Sequence, residues 1–370
     1  MAGIPTAISN ILLPSPRLSI IDFIQFLTPP KNLSRQLSTT PTLFSEAPSA
    51  ISNERNAVAL QRLPRPSSDD IIECRKKLLE AGTKHKCQSI DYPISEKTTL
   101  KIPIWALDYW EAMERICDEK ELWLAVEKNL KKEGSHNILD LLSTVPWGYS
   151  LPRSLGFHVI ELAKFCTDDW LGAVQMDQMV FVMNNQLQSK DQMILDWPHT
   201  FLMVRTYRFA HDTYFDTMLA KPTILHRNGA KIEGENPTYT KIGIYFCVNC
   251  GGDLPAPDTM GDHWVGVVID IVEKKILYID PMKHPPPNEL IFVLQWWLGQ
   301  HVSGNFVVDA ETLECSRQND TFSCGIWTLN AIGHHLCPNE FQLIRNSQDA
   351  IKERRTQIIQ VVNLMRTKVS

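Results

Sequence analysis

The sequence has no run of five or six basic residues, and its formal net charge is −5 with a pI near 6.1. A polyanion would find no electrostatic anchor here, so nucleic-acid binding is not indicated. No apolar stretch approaches the ~18 residues that a membrane-crossing helix requires, so a membrane partner is not expected either. The cysteines lack regular spacing. There are nine, an odd number, and no secretory signal precedes them. That usage suits reduced thiols in a nuclear or cytoplasmic protein and argues against a disulfide framework. Only one close pair exists, Cys247 and Cys250. A zinc site built on it would have to recruit His334 and Cys337 from far along the chain, and a second close pair is missing.

With 370 residues and 44% hydrophobic residues, the chain can bury a real core. Three regions are expected. Residues 1–66 are rich in Ser, Thr and Pro, and Pro29-Pro30, Pro41 and Pro48 interrupt every apolar run. This stretch reads as a disordered low-complexity tail. Organelle targeting by residues 1–45 is the alternative, because Arg17, Lys31 and Arg35 face Asp22 as the only acid there. Residues 67–150 read as a helical region. Ser67-Ser68-Asp69-Asp70 would cap a helix ending near Gly82, a longer one would run from about Ile104 to Lys132 and stop at Gly134, and Ile138 to Leu142 makes a short third. Residues 151–370 mix strands with helices. Asp168 or Asp169 would cap a helix through Met176 and Met183, Phe201 to Tyr207 can form a strand, and Lys241 to Asn249 forms a stronger one. His263 to Val272 and Lys275 to Asp280 flank a turn at Glu273-Lys274 and predict a hairpin. Helices are expected over Asn288 to Leu298 and Ser347 to Met365, and a strand over Asn305 to Asp309. The class is α+β.

Chemistry concentrates around Gln318-Asn-Asp-Thr-Phe-Ser-Cys324-Gly325. Behind it, Ile326, Leu329, Ile332 and Leu336 recur at helical spacing, so Cys324 falls in a first turn, with Thr321 and Ser323 as cap types. Unpaired N–H groups and the positive end of the helix dipole favour a thiolate there. Gln318, six positions earlier, could aim its amide, with the Cys324 N–H, at a developing oxyanion. A thiol nucleophile also needs a base and a group that orients it. His263 opens the predicted hairpin and Asp280 closes it, so folding near residue 273 brings imidazole and carboxylate to one sheet edge.

Together these residues resemble the ubiquitin-like-protein-specific cysteine proteases that process SUMO and its relatives. His263-Trp264, Asp280, and Gln318 separated by five residues from Cys324-Gly325 follow that family's order, and Trp170-Leu171 is similar to its Trp-Leu-x-Asp element. The resemblance covers roughly residues 155 to 340. It implies a papain-like α+β core with a central mixed sheet and a nucleophile helix. It also implies a cysteine-type peptidase that cuts after the C-terminal Gly-Gly of a SUMO-type modifier, with Cys324 as nucleophile, His263 as base, Asp280 as its orienter and Gln318 in the oxyanion hole. Trp170 and Trp264 would line the substrate channel; no metal or organic cofactor is implied. Two positions depart from the pattern. Ser323 stands where the family commonly has Asp, and Ala173 stands where Trp-Leu-x-Asp has its acid, which leaves the modifier open. An acetyltransferase of the same clan and an inactive domain that binds a ubiquitin-like protein are the other readings.

Overall fold

In a computed structural model, residues 3–32, 35–51, 54–82, 87–95, 97–149, 158–209, 239–256, 259–302, 304–309 and 313–367 are described. They fall into two compact units. One comprises Met1–Ser150 with His158–Ile160, the other Leu151–Phe157 with Glu161–Ser370.

The first unit holds α1 (Thr6–Leu12), α2 (Ile20–Gln25), β1 (Phe44–Ser45), α3 (Glu54–Ala57), α4 (Ser68–Gly82), β2 (Ser89–Pro93), β3 (Thr99–Pro103), α5 (Ala106–Glu133) and α6 (His136–Leu142). The long helix stops where expected, at Gly134, whose φ of +72° is the left-handed cap that glycine adopts without a steric penalty. Two expectations need correction. The stretch 1–66 is not a tail without a core: Leu12, Ile20, Phe23, Leu37 and Leu60 are fully buried, and the Phe23 ring stacks on Trp147 at 4.2 Å. Its prolines and serines bound short helices instead of preventing them. Pro5 precedes α1, and the Ser19 hydroxyl caps α2 by accepting from the Asp22 N–H. Nor is the region 67–150 wholly helical. Strands β1, β2 and β3 pair antiparallel in that order, with Ile90 opposite both Phe44 and Ile102. The buried carboxylate of Asp70 ties the two stretches, accepting from the Leu37 and Ser38 N–H groups at 2.6 and 2.8 Å.

The second unit is built on a five-stranded mixed sheet in the order β4-β5-β6-β7-β8. β5 (Lys241–Val248), β6 (His263–Asp270) and β7 (Lys275–Ile279) are antiparallel, while the edges β4 (Gln192–Ile194) and β8 (Val307–Asp309) run parallel to their neighbours. The α+β class and the hairpin at 263–280 are as expected. Phe201 to Tyr207 is not a strand. It lies in α8 (Trp197–Phe209), whose start is set by Asp196, which accepts from the His199 N–H, and by Pro198 in the first turn. Helix α7 (Ala173–Gln186) starts after Gly172, whose N–H donates to the Gln175 side chain, so Asp168 and Asp169 are not its cap.

Both faces of the central strands are covered. Ile242, Ile244 and Phe246 of β5 and Val265, Val267 and Ile269 of β6 share a core with Met203 of α8 and with Leu290, Val293, Leu294 and Trp297 of α9 (Asn288–His301). The alternate residues face α10 (Cys324–Leu336), which is buried from Cys324 to Gly333. Glycine permits that approach. A Cβ at Gly266 would stand 2.9 Å from Thr328 Cγ2, and one at Gly243 would overlap Ile332. Helix α11 (Ser347–Thr367) closes the unit: the guanidinium of its buried Arg354 donates to the Lys164 and Asp169 carbonyls and stands 5.6 Å from the Phe322 ring centre.

Because residues 1–64 supply core to the first unit, their deletion should lower its melting temperature sharply, and Phe23→Ala alone should cost about 3–5 kcal/mol in denaturant unfolding. Unchanged unfolding of both variants would show that the stretch is dispensable.

Candidate active site

The hairpin register makes the site. Ile279 pairs with Gly266, so Asp280, one step beyond the end of β7, stands beside the start of β6, where His263 pairs with Val248. His263 Nε2 and Asp280 Oδ1 are 2.7 Å apart, and their side chains are only 2% and 1% exposed. An ionised carboxylate only accepts, so Nε2–H donates. The ring also hydrogen-bonds the Cys324 side chain, which the first turn of α10 presents at the same sheet edge. Cys324, His263 and Asp280 therefore come together as a thiol, an imidazole and a carboxylate in series.

Electrostatics within the series are lopsided. Burial by itself would lower the His263 pKa, but the hydrogen bonds and charges of Asp280 and Cys324 outweigh it and raise it to about 9. Burial acts upward on Asp280, and its bond to His263, with help from the Met282 N–H at 2.6 Å, brings it below the ordinary carboxylate value. The favoured state is imidazolium beside carboxylate.

Gln318 is also present, 7% exposed, its N–H donating to the Pro281 carbonyl at 3.0 Å. Its amide is not aimed at an open position. Gln318 Nε2 donates to the Asp320 carbonyl at 2.7 Å and to Asp320 Oδ1 at 3.1 Å. Exchanging amide N and O would set oxygen against two acceptors, so this orientation is chemically fixed. Asp320, which the sequence did not single out, is the hub of the loop. Its carboxylate also accepts from the Phe322 and Ser323 N–H groups at 3.0 and 2.8 Å and from the Ser323 hydroxyl. Ser323 in turn accepts from Trp327 Nε1 at 3.0 Å. A carboxylate thus stands against Ser323 even though position 323 carries no acid. The cap differs from expectation in one respect: Ser323 is the N-cap residue, but its side chain does not bond the helix N–H groups.

The two tryptophans meet but do not form a pair of walls. Trp170 and Trp264 stack at 5.1 Å with 4° between their planes, so no chain fits between them. Trp264 is fully buried. Its Nε1 donates to the Leu171 carbonyl at 2.7 Å, and its ring meets Trp197 and Tyr245 edge-on. Direct substrate contact by Trp264 is therefore corrected to support of Trp170, which is partly exposed. Gly325 is part of that packing, since a Cβ there would stand 2.5 Å from Met176 Sδ and 3.3 Å from Trp264 Cδ1.

His284 is a second residue the sequence reading missed: its Nδ1 lies 3.0 Å from Asp280 Oδ2, so the carboxylate has an imidazole on each oxygen. Asp-Pro-x-x-His after a strand was the available signal. Among the described residues, the one group of metal-ligating type is His263, Asp280 and His284; Cys247, Cys250, His334 and Cys337 do not gather.

Residues 244–359 match the model of the Ulp1 protease family, C-terminal catalytic domain. No curated protein matches the chain. Among solved structures, similarity is found to the C-terminal Ulp1 protease domain in complex with Smt3, the yeast ortholog of SUMO (16% identity, 58% of this chain and 86% of that one, TM-score 0.42). It is also found to the Chaetomium thermophilum Ulp1-like SUMO protease catalytic domain (16% identity, 58% and 76%, TM-score 0.35). A third is the Chlamydia trachomatis effector Cdu1 bound to ubiquitin (13% identity, 54% and 95%, TM-score 0.33). The site lies in the matched segment, from the strand before His263 to the helix that begins at Cys324, and over residues 244–359 the chain is similar to the catalytic domain of the Ulp1 protease family.

Proposed function

We propose that the chain is a cysteine peptidase and isopeptidase that cuts after the C-terminal Gly-Gly of a ubiquitin-like modifier, a SUMO-type one before others, and that its partners are that modifier and its conjugates. The observation that carries this reading is the buried series Cys324, His263, Asp280 in a domain similar to that of the Ulp1 family. Cys324 attacks the carbonyl of the terminal glycine as the thiolate. The His263 imidazolium, held by Asp280, gives its proton to the leaving amine, and an acyl-enzyme forms; His263 then takes a proton from water as that water attacks the acyl carbon, which releases the modifier and restores the thiol. The first-turn N–H groups of α10 have no intrahelical acceptor and face the oxyanion. Gln318 is the second donor if its longer contact to Asp320 is exchanged for the oxyanion. Trp170, backed by Trp264, covers the glycine tail, where a Cβ would meet the indole. Such a thiol needs a reducing nuclear or cytoplasmic compartment.

Labelling with ubiquitin, SUMO and Nedd-type proteins that carry a C-terminal electrophile tests the reading directly. A covalent adduct on Cys324 with a SUMO-type probe is expected, and none with Cys324→Ala; no adduct with any probe overturns it. Cys324→Ala and His263→Ala should each remove nearly all turnover, and the double variant should be little worse than either, because the groups act as a unit. Gln318→Ala should lower kcat on the order of 10²–10³-fold with little change in KM.

A pH profile follows from the histidine. Its folded pKa is raised, so the imidazolium and the stability it contributes are complete below about 6.5 and are lost as pH rises through about 9. Activity should fall over that alkaline range. Asp280→Ala removes the strongest raising contribution, so any residual activity should fall at lower pH; an unmoved alkaline limb would assign it to another group.

Tryptophan substitutions separate contact from support. Trp264→Ala should destabilise the second unit by about 3–5 kcal/mol, as loss of a core indole does. Trp170→Ala should impair cleavage of the natural tail while thermal melting changes far less. Equal cleavage of Ala-Ala and Gly-Gly tails by the wild-type enzyme would exclude an indole-covered channel.

A further inference from the structure

We propose that His263, Asp280 and His284 form an inhibitory site for a transition-metal dication of the zinc class, an inference that rests on the peptidase reading only for its effect on activity. Each of the three residues offers one ligand atom, and all three atoms lie within 4.8 Å of one another. The carboxylate stands between the two rings, with Oδ1 2.7 Å from His263 Nε2 and Oδ2 3.0 Å from His284 Nδ1. Two imidazoles and a carboxylate are a three-ligand zinc set that leaves a fourth position open. Zinc bonds nitrogen and carboxylate oxygen at about 2.0–2.2 Å, which in a tetrahedral site sets ligand atoms roughly 3.3 Å apart, so an ion replacing the shared hydrogen atoms would spread the two hydrogen-bonded pairs by a few tenths of an ångström and bring the two ring nitrogens together. The part that can move is His284. It is 32% exposed and follows Lys283, whose φ of +68° marks a tight turn, whereas His263 and Asp280 are buried in the hairpin. The same exposed ring gives the ion a way in from solvent.

Inhibition follows from counting lone pairs. With Nε2 on the metal, the neutral His263 ring keeps its proton on Nδ1, which faces Cys324 because Asp280 occupies the Nε2 side. No lone pair remains to take the thiol proton, and no second proton can be carried to the leaving amine. Metal binding releases the proton that bridges His263 and Asp280, together with any carried by His284. His284 is the distinguishing residue, because a thiol, a base and its orienter need no second imidazole for peptide cleavage.

The full chain, stripped of metal and kept reduced with a non-thiol phosphine, is titrated with Zn²⁺ by calorimetry and with Co²⁺ by visible absorption. One tight site is expected, and His284→Ala should weaken it by at least about 10–100-fold, the loss that follows removal of a group that only hydrogen-bonds a metal ligand. Thermal melting of the variant serves as the folding check, and His284→Cys, which restores a ligand, should recover part of the affinity. Affinity unchanged in both His284→Ala and His263→Ala, or loss of the tight site in Cys250→Ser instead, overturns the proposal. If the tight site depends on His284 but no modifier probe labels the protein, the metal site stands and the peptidase reading fails.

Discussion

Everything at the candidate site depends on how closely helix α10 lies on the sheet. Positions 243 and 266 on the strands are glycine, and a Cβ at either would collide with the Ile332 or Thr328 side chain of the helix, while on the helix Gly325 lies against Met176 and Trp264. The Thr328 hydroxyl, donating to the Trp264 carbonyl at 3.0 Å, pins the helix to β6 at the same level. The thiol must reach the ring of a residue fixed in a strand, and hydrogen-bond geometry tolerates only tenths of an ångström. A larger residue along that seam would lift the first turn of the helix and separate Cys324 from His263 before any reacting group had been altered.

The loop that delivers Cys324 solves a second problem. Residues 318–323 must turn sharply into a buried helix, and each N–H group in the turn needs an acceptor once water is gone. The Asp320 side chain supplies it for Phe322 and Ser323, and the Pro281 carbonyl supplies it for Gln318. The conjunction also explains why Gln318 sits where it does: its amide is one of the donors that satisfy this carboxylate, and the Pro281 carbonyl that receives its N–H follows Asp280 directly. The loop before Cys324 and the segment that carries Asp280 are thus tied by one backbone hydrogen bond. A shift in either would be felt by the other.

Much of the second unit was legible in the sequence for physical reasons. The hairpin β6–β7 announces itself through two β-branched runs around a short charged turn, and α10 through apolar residues at helical spacing behind a single cysteine. What was hidden lies where tertiary packing overrides pattern. Phe201 to Tyr207 has strand-like composition, but the helix start written in Asp196-Trp197-Pro198 decides it. The strands β1 to β3 are short, and one joins residues 44–45 to residues near 90, a pairing that no local window contains. In residues 1–66 the prolines masked buried residues such as Leu12 and Phe23, because a two-turn helix is too short to show a period. Asp320 and His284 could not be ranked because an Asp in a turn and a His after a proline are common; only geometry shows that one gathers four donors and the other meets a buried carboxylate.

The stacked tryptophans join the core to the partly exposed surface of the second unit. Trp264 is held on every side: by Leu171 at its nitrogen, by Trp197 and Tyr245 at its edges, and by Trp170 on its face. Tyr245 donates in turn to Asp177, which also accepts from the Trp197 N–H at 2.7 Å. Burial keeps the Asp177 pKa above its ordinary value in spite of those bonds, so this carboxylate gains little by being charged; its role is to hold two aromatic residues in register. Trp170 therefore rests on a rigid base instead of a mobile loop. A partly exposed indole fixed in this way can exclude a side chain by contact alone, since it cannot rotate aside without breaking the stack beneath it. Under the proposed function, selectivity for a glycine tail would need no polar recognition, only an aromatic surface that does not yield.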